Sequence, residues 1–383
     1  MRIGINALPL SRLQAGAARV IRSVIEQWRK IDSDNSYILY SDRDFDLPWE
    51  NDRWRKRIFS PIPLLPGTLW LQSVGRMMIL RDRLDVFWGT ANLLPLGLPQ
   101  SLAKVLTVHD LILPLYAKSA DPLNRWMYWL YGRRSAVQAD RIIAVSQWTA
   151  RDLERIFAVP ESRIEVINHG VGPAFKPLDS QVAAEYVANK YGVSKDYILT
   201  VGTLGPHKNL ITLVEALRIL RNRGALGFEL LVVGAQARKN SKVLEFIRSS
   251  GLTGQEIRFL GFVPDEDLPM LYSGSRLFAL PSLYEGFGLP LVEAMACGVP
   301  VIASNTSAVP EAVGDAGILL PPTQPAAFAD AILRVRSDAN LRRRMIEKGL
   351  KHASGFRWDK AARQHLECMR EEVARIRSGR LPA

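Results

Sequence analysis

Cysteine is scarce in this chain: Cys297 and Cys368 are its only two. Two thiols build no disulfide framework, and their separation matches no metal-ligand spacing. Reduced thiols fit the cytoplasm. Long apolar runs are also missing. No stretch reaches the about 18 apolar residues that a membrane-crossing helix needs. The opening segment, Met1-Arg-Ile-Gly-Ile-Asn-Ala-Leu-Pro-Leu, lacks an apolar h-region and a small-residue cleavage site, so it predicts a short strand rather than a signal peptide. There is no close internal repeat and no low-complexity tract. Acidic residues are outnumbered, 38 against 50 Lys+Arg, which leaves a net charge of +12. Such a chain seeks anionic partners, but no nucleic-acid-binding motif accompanies the charge, so nucleic acid is not an expected partner.

The length, 383 residues, suggests two domains with a core each. A hydrophobic content of 48% beside 23% charged residues is that of a globular protein, soluble or peripheral to a membrane. Strand-like runs begin at Arg2, Ser36, Asp85, Ala103, Arg141 and Ile164, with helical patterns over 16–30, 66–83 and 122–139 among them. The second half repeats the alternation, with β-rich runs at Tyr197, Glu229, Ile257, Leu277, Val301 and Gly317. Its helical stretches include 209–223, 241–250, 291–297 and 326–348. Strands alternating with helices imply parallel sheets covered on both faces. The expected fold is α/β: two tandem Rossmann-like domains, 1–176 and 177–357, facing each other across a ligand cleft at the strands' carboxyl ends. Residues 171–180 read as a linker. A last helix within 358–383 has the length to cross back onto the first domain.

One run carries most of the chemistry: Glu285-Gly-Phe-Gly-Leu-Pro-Leu-Val-Glu293. It follows a strand-like segment and opens a helix-like one. Pro290 suits a first helical turn. The amides of Phe287, Gly288 and Leu289 are expected to lack helical partners and, with the positive dipole end, to form an anion site. One carboxylate before the turn and one inside the helix could hold hydroxyls on both sides of a phosphate, the shape of a nucleotide-sugar site. Val201-Gly-Thr-Leu-Gly-Pro-His207-Lys208-Asn209 adds a glycine-rich turn with Lys208 ahead of a helix. A lysine there opposes the dipole unless an anion intervenes. Alone it reads equally well as a solvated surface lysine; the turn at 285–293 favours phosphate. His109 follows the strand at 103–108 and would point into the cleft, to hydrogen-bond a sugar hydroxyl or take charge during transfer. Asp110 reads as a cap. Gly16, in a small-residue turn after the first strand, would permit close approach of backbone to ligand.

These motifs, in this order, resemble the retaining glycosyltransferases of the GT-B fold, family 4. Glu285 to Ile302, with Val309-Pro-Glu311-Ala-Val after it, is the most specific stretch, and the likeness extends through Val201–Asn209, Ala139–Ser146, Asn168-His-Gly-Val and Val108-His-Asp. The resemblance implies a role for each matching residue. Glu285 would contact hydroxyls of the donor sugar and Glu293 the ribose. Lys208 would bind the diphosphate, helped by the amides of Phe287 to Leu289, and Gly16 would meet it from the other domain. Val263 falls where backbone groups read the base, and His109 matches the active-site histidine beside the sugar. Thr203 and His207 stand where the family often carries arginines, and Ala15-Gly16-Ala17-Ala18 replaces a Gly-Gly-x-Gly loop. The family is metal-independent, and no cofactor beyond the nucleotide sugar is expected. Two acidic clusters, Asp32-Ser-Asp34 and Asp42-Arg-Asp44-Phe-Asp46, read as solvated turns rather than a metal site.

The acceptor side is expected on the first domain. Residues 1–176 hold 24 Lys+Arg against 17 Asp+Glu and eight of the nine tryptophans, a mixture that suits anionic lipid headgroups although buried tryptophans are the ordinary case. Within 69–83 and 121–134 the candidates are Trp70, Arg76, Arg125, Trp126 and Trp129. A lipid-linked oligosaccharide acceptor at the inner face of the cytoplasmic membrane follows from that reading. The Val-Gly-Thr-Leu-x-Pro-x-Lys-Asn form looks like bacterial mannosyl- and rhamnosyl-type transferases of surface polysaccharide synthesis, which favours GDP-mannose. A UDP- or dTDP-sugar-dependent transferase of the same fold, or a sugar-nucleotide epimerase, is the alternative.

Overall fold

The computed structural model describes residues 1–11, 15–60, 66–112, 122–193, 196–203, 205–234, 241–252 and 254–379, with the side chains of 15, 122–125, 127, 128 and 241–244 outside the description. The chain forms two units: Met1–Gly170 with Trp358–Ala383, and Val171–Arg357. Residues 171–176 thus belong with the second unit.

The first unit is built on β1 (Arg2–Asn6), β2 (Ser36–Ser41), β3 (Trp54–Ile58), β4 (Val86–Gly89), β5 (Ala103–Val108), β6 (Arg141–Ala144) and β7 (Ile164–Val166). They lie in the order β3-β2-β1-β4-β5-β6-β7, every pair parallel. The second unit has β8 (Tyr197–Val201), β9 (Glu229–Val233), β10 (Ile257–Gly261), β11 (Leu277–Leu280), β12 (Val301–Ser304) and β13 (Ile318–Leu320), ordered β10-β9-β8-β11-β12-β13 and again parallel. Central strands are mostly apolar and buried on both faces, as parallel sheets require. In each sheet the order reverses once, at β1/β4 and at β8/β11. Such switch points open crevices beyond the strands' carboxyl ends.

β3 escaped the sequence reading because Trp54-Arg-Lys-Arg-Ile looks like a charged loop. It is an edge strand, and its charges suit a row of exposed backbone groups. The helical pattern at 66–83 forms as Gly67–Trp70, a π turn over Leu71–Gly75, and Arg76–Arg81. The 326–348 pattern is two helices, Pro325–Ser337 and Ala339–Ala353. They part at Asp338, whose Oδ1 accepts the Leu341 N–H at 2.9 Å as an N-cap. The acidic cluster at 32–34 is not wholly solvated: Asp32 is buried and accepts from Asn35 Nδ2 and the Tyr37 hydroxyl.

The helix Trp358–Arg377 packs on the helix Ala15–Ile31 within the first unit. Trp28 Nε1–H donates to Ala362 O at 2.8 Å, and Arg141 Nε pairs with Glu372 at 2.9 Å. His365 on that helix is 2% exposed. Its Nδ1–H donates to Ala361 O at 2.8 Å, while Nε2 has no partner among the described residues. Burial, more than any neighbouring charge, lowers its pKa from 6.5 to about 4. The unfolded chain therefore binds a proton near pH 6.5 that the fold refuses until about pH 4. Stability falls as pH drops through that window, by up to roughly 3 kcal/mol from this residue. In His365→Leu, urea unfolding followed by tryptophan fluorescence should show about 2 kcal/mol less loss than wild type on going from pH 7.5 to 4.5. Equal losses would show that His365 does not carry the effect.

Candidate functional site

The switch strands of the second sheet carry the two anchors of the site. β8 ends at Val201, and a short 3-10 turn, Pro206–Lys208, follows and carries Lys208. β11 leads to the turn containing Glu285. Adjacent strands thereby bring residues 77 apart in sequence into contact: Lys208 Nζ lies 2.7 Å from Glu285 Oε1. The lysine side chain is 16% exposed and the carboxylate 9%. Ser282 Oγ–H donates to the same Glu285 oxygen at 2.6 Å, and Glu285 N–H donates to Ser307 Oγ at 2.9 Å. The carboxylate is thus fixed from two sides. Asn209, at φ 52°, donates through Nδ2 to Pro281 O at 3.0 Å and Pro322 O at 2.7 Å, tying the lysine turn to the loop after β11.

Beyond Glu285 the chain enters the helix Leu289–Ala296 through Gly288 at φ 100°, a conformation open to glycine and strained for L side chains. Pro290 occupies the first turn. Among the described residues the N–H groups of Gly288 and Leu289 donate to no acceptor. Phe287 is buried, its ring edge-on to Phe356 with centroids 5.5 Å apart. Two unbonded amides at the positive end of a helix are chemically suited to an anion. Glu293 is buried on the same helix and accepts from the Tyr272 hydroxyl at 3.1 Å.

The remaining second-unit residues are placed as follows. Thr203 is exposed just after Gly202, and its carbonyl accepts Gly205 N–H at 2.7 Å. His207 is half-buried; burial first, then the charge of Lys208, pushes its pKa down to about 4, against the opposite pull of Glu285. It is neutral near pH 7 and does not replace an arginine's charge. Val263 is buried after β10, next to the well-exposed Phe262.

The first unit has its own constellation at the β1/β4 switch point. Thr90 Oγ1–H donates to Asn6 O at 2.6 Å, and Thr90 O receives a hydrogen bond from His109 Nε2 at 2.7 Å. A carbonyl only accepts, so the proton sits on Nε2 and Nδ1 is the acceptor atom. Burial lowers the His109 pKa, which keeps the ring neutral. His109 N–H donates to Asn92 Oδ1 at 2.8 Å, and the His169 ring lies 5.4 Å away. Asp110 Oδ1 accepts Ile112 N–H, a local cap. Gly16 is exposed in the first turn of Ala15–Ile31, and a Cβ there would meet nothing within 4 Å among the described residues.

The surface candidates divide. Trp70 is fully buried, its Nε1–H donating to Phe59 O at 2.7 Å, so it cannot face a membrane. Its apolar ring fills the core beside Gly75, where a Cβ would come within 2.8 Å of it. Arg76 donates to Gly97 O at 3.1 Å. Trp126 and Trp129 are 57% and 46% exposed. Arg125 lies in the helix Pro122–Gln138, its side chain outside the described set. Sequence reasoning missed Ser282, Ser307, Asn209, Tyr272 and Thr90. All but Ser282 act through a partner far along the chain; Ser282, three residues before Glu285, stood near enough for its polar position after a strand to be noticed.

Against known proteins, the sequence profile of Glycosyl transferases group 1 matches residues 165–352 and that of Glycosyltransferase Family 4 matches residues 15–175. The chain is 32% identical over 290 residues to the O-antigen chain mannosyltransferase B of Escherichia coli, a match covering 75% of this chain and 74% of that protein. Among solved structures it is similar to the sucrose-phosphate synthase of Thermosynechococcus elongatus, with a TM-score of 0.79 at 20% identity over 98% of this chain and 99% of that one. It is also similar to Anabaena HepE in complex with UDP-glucose, with a TM-score of 0.75 at 19% identity over 97% and 100%.

Proposed function

The chain belongs to the family-4, group 1 glycosyltransferases, and from that premise we propose that it moves mannose from GDP-mannose, with retention at the anomeric carbon, onto a lipid-linked oligosaccharide of surface polysaccharide synthesis. The observation that carries this reading is the Lys208–Glu285 pair beside the two amides of Gly288 and Leu289. The second unit takes the donor. Lys208 and the amides hold the diphosphate and stabilise the negative charge that grows as the sugar–phosphate bond breaks. Glu293 takes the ribose, and Glu285 takes sugar hydroxyls once the diphosphate draws Lys208 away. Thr203 and the backbone at Val263 line the path of the nucleotide. Gly16 leaves open space for the diphosphate, and His109 offers Nδ1 as an acceptor to a sugar hydroxyl. The acceptor oxygen attacks the face that the phosphate leaves, and the departing phosphate oxygen takes its proton. No carboxylate forms a covalent intermediate, and the charge is carried without a metal ion.

The first unit takes the acceptor. Exposed Trp126 and Trp129, with exposed Leu69, Met77 and Leu80, supply apolar contacts for a peripheral membrane surface, and the basic excess supplies the attraction to anionic lipid. No described helix is long and apolar enough to cross a membrane. Labelled GDP-mannose, UDP-sugars and dTDP-sugars, each incubated with and without lipid extract, test the reading. GDP-mannose should turn over only with lipid acceptor, and proton couplings of the product should report the donor's anomeric configuration. Turnover without acceptor would indicate an epimerase. An inverted product would overturn the mechanism, and a UDP- or dTDP-sugar donor would reassign the base. Failure to float with anionic liposomes at low salt would reject the membrane surface.

A further inference from the structure

A cavity of about 480 Å³ opens at the amino ends of β8 and β11, the opposite end of those strands from Lys208 and Glu285. Asp196 immediately precedes β8 and Arg276 immediately precedes β11. The C-terminal turn of Pro325–Ser337 and the start of Ala339–Ala353 close the other side. Among the described residues three arginines line it, Arg276, Arg336 and Arg342, against one carboxylate, Asp196. Three positive charges less one negative leave +2. Arg276 Nε pairs with Asp196 at 2.9 Å. Arg336 and Arg342 meet no carboxylate among the described residues. Arg336 lies over the Phe228 ring, its guanidinium carbon 4.5 Å from the centroid. Arg342 makes a long contact, 3.5 Å, to Arg336 O. That carbonyl belongs to a helix C-terminus, whose negative dipole end takes up part of the charge. A fraction of one charge does not offset two guanidiniums.

We propose that this cavity is a second anion site, distinct from the donor site, that binds a small phosphorylated metabolite. Guanidinium forks match phosphate oxygens two at a time, and contact with the Phe228 ring restrains Arg336 beside the cavity. Leu333, half-buried beside the cavity, supplies an apolar contact for the organic part of the ligand. The volume leaves room for an organic group attached to the phosphate. The site grips the starts of the two strands whose ends hold Lys208 and Glu285, roughly 15 Å away at about 3.3 Å per residue.

The proposal is independent of the identity of donor and acceptor, because binding is read without turnover. Inorganic pyrophosphate serves as probe, titrated by calorimetry into the Lys208→Met protein, whose donor site has lost its ammonium group. Saturable binding that weakens with added salt is expected. The dissociation constant should rise at least tenfold in an added Arg336→Gln/Arg342→Gln pair, and about threefold with Arg342→Gln alone, a substitution that removes one long contact and should leave the fold intact. Absence of saturable binding at low salt, or an unchanged constant in the Arg342→Gln protein, would overturn it.

Discussion

Lys208→Met should lower kcat/KM for the nucleotide sugar by roughly two to three orders of magnitude, the loss expected when one preorganised charge is removed from a developing oxyanion. The same change leaves the Glu285 carboxylate buried with Ser282 as its remaining side-chain partner. Removing one member of a buried pair typically costs about 3 to 5 kcal/mol of stability. Partial exposure of both groups argues for the lower end here. Glu285→Gln separates the two roles. The amide keeps the Ser282 contact and frees the ammonium group for the diphosphate. Transfer should fall about a hundredfold, since the sugar loses its charged acceptor. Affinity for the nucleoside diphosphate should hold or improve, because Lys208 no longer has to leave a carboxylate first. Steady-state kinetics with thermal-shift titration of GDP would check both variants. A Glu285→Gln protein that loses nucleotide affinity would place Glu285 on the nucleotide instead of the sugar.

Gly234→Ala is expected to be the most damaging single methyl in the second unit. Gly234 sits at φ 140° at the end of β9, and a Cβ there would lie 2.0 Å from Gly202 O and 2.6 Å from Gly202 C. Both are backbone atoms, so no rotamer change relieves the clash. The two strand tips are also pinned: Gly202 N–H donates to Val233 O at 2.9 Å and Gly234 N–H to Gly261 O at 2.8 Å. Relief must displace Gly202, and with it the turn that carries Lys208. Unfolding free energy should fall by about 3 kcal/mol or more, and donor affinity should drop about tenfold as the ammonium group moves. Gly224→Ala is the control. It shares a left-handed φ of 68°, yet a Cβ there meets nothing within 4 Å, so it should cost about 1 kcal/mol and leave affinity unchanged. Equal effects of the two substitutions, measured by urea unfolding, would show that backbone strain rather than the clash governs this edge.

Local signals made much of this legible. The run from Glu285 to Glu293 announced a glycine turn into a helix because φ at Gly288 and the proline in the first turn are properties of a few adjacent residues. All thirteen described strands but β3 were readable from short β-rich runs, since central parallel strands are mostly apolar. Trp70 was misplaced for the complementary reason. A tryptophan in a basic, apolar helical stretch looks the same whether its ring faces lipid or a core, and packing against the rest of the unit settled it.

By itself the sequence determined the alternation of strands and helices, the glycine-marked turns and the types of side chain at their ends. It could not determine which strand lies beside which. That order set β8 against β11, and so joined Lys208 to Glu285 across 77 residues. It set β1, β4 and β5 side by side, and so fixed the His109 proton on Nε2 through Thr90. It also gathered the arginines at the opposite end of β8 and β11. Turn chemistry and periodicity act over a few residues, whereas these contacts depend on sheet order, which no single stretch of chain encodes.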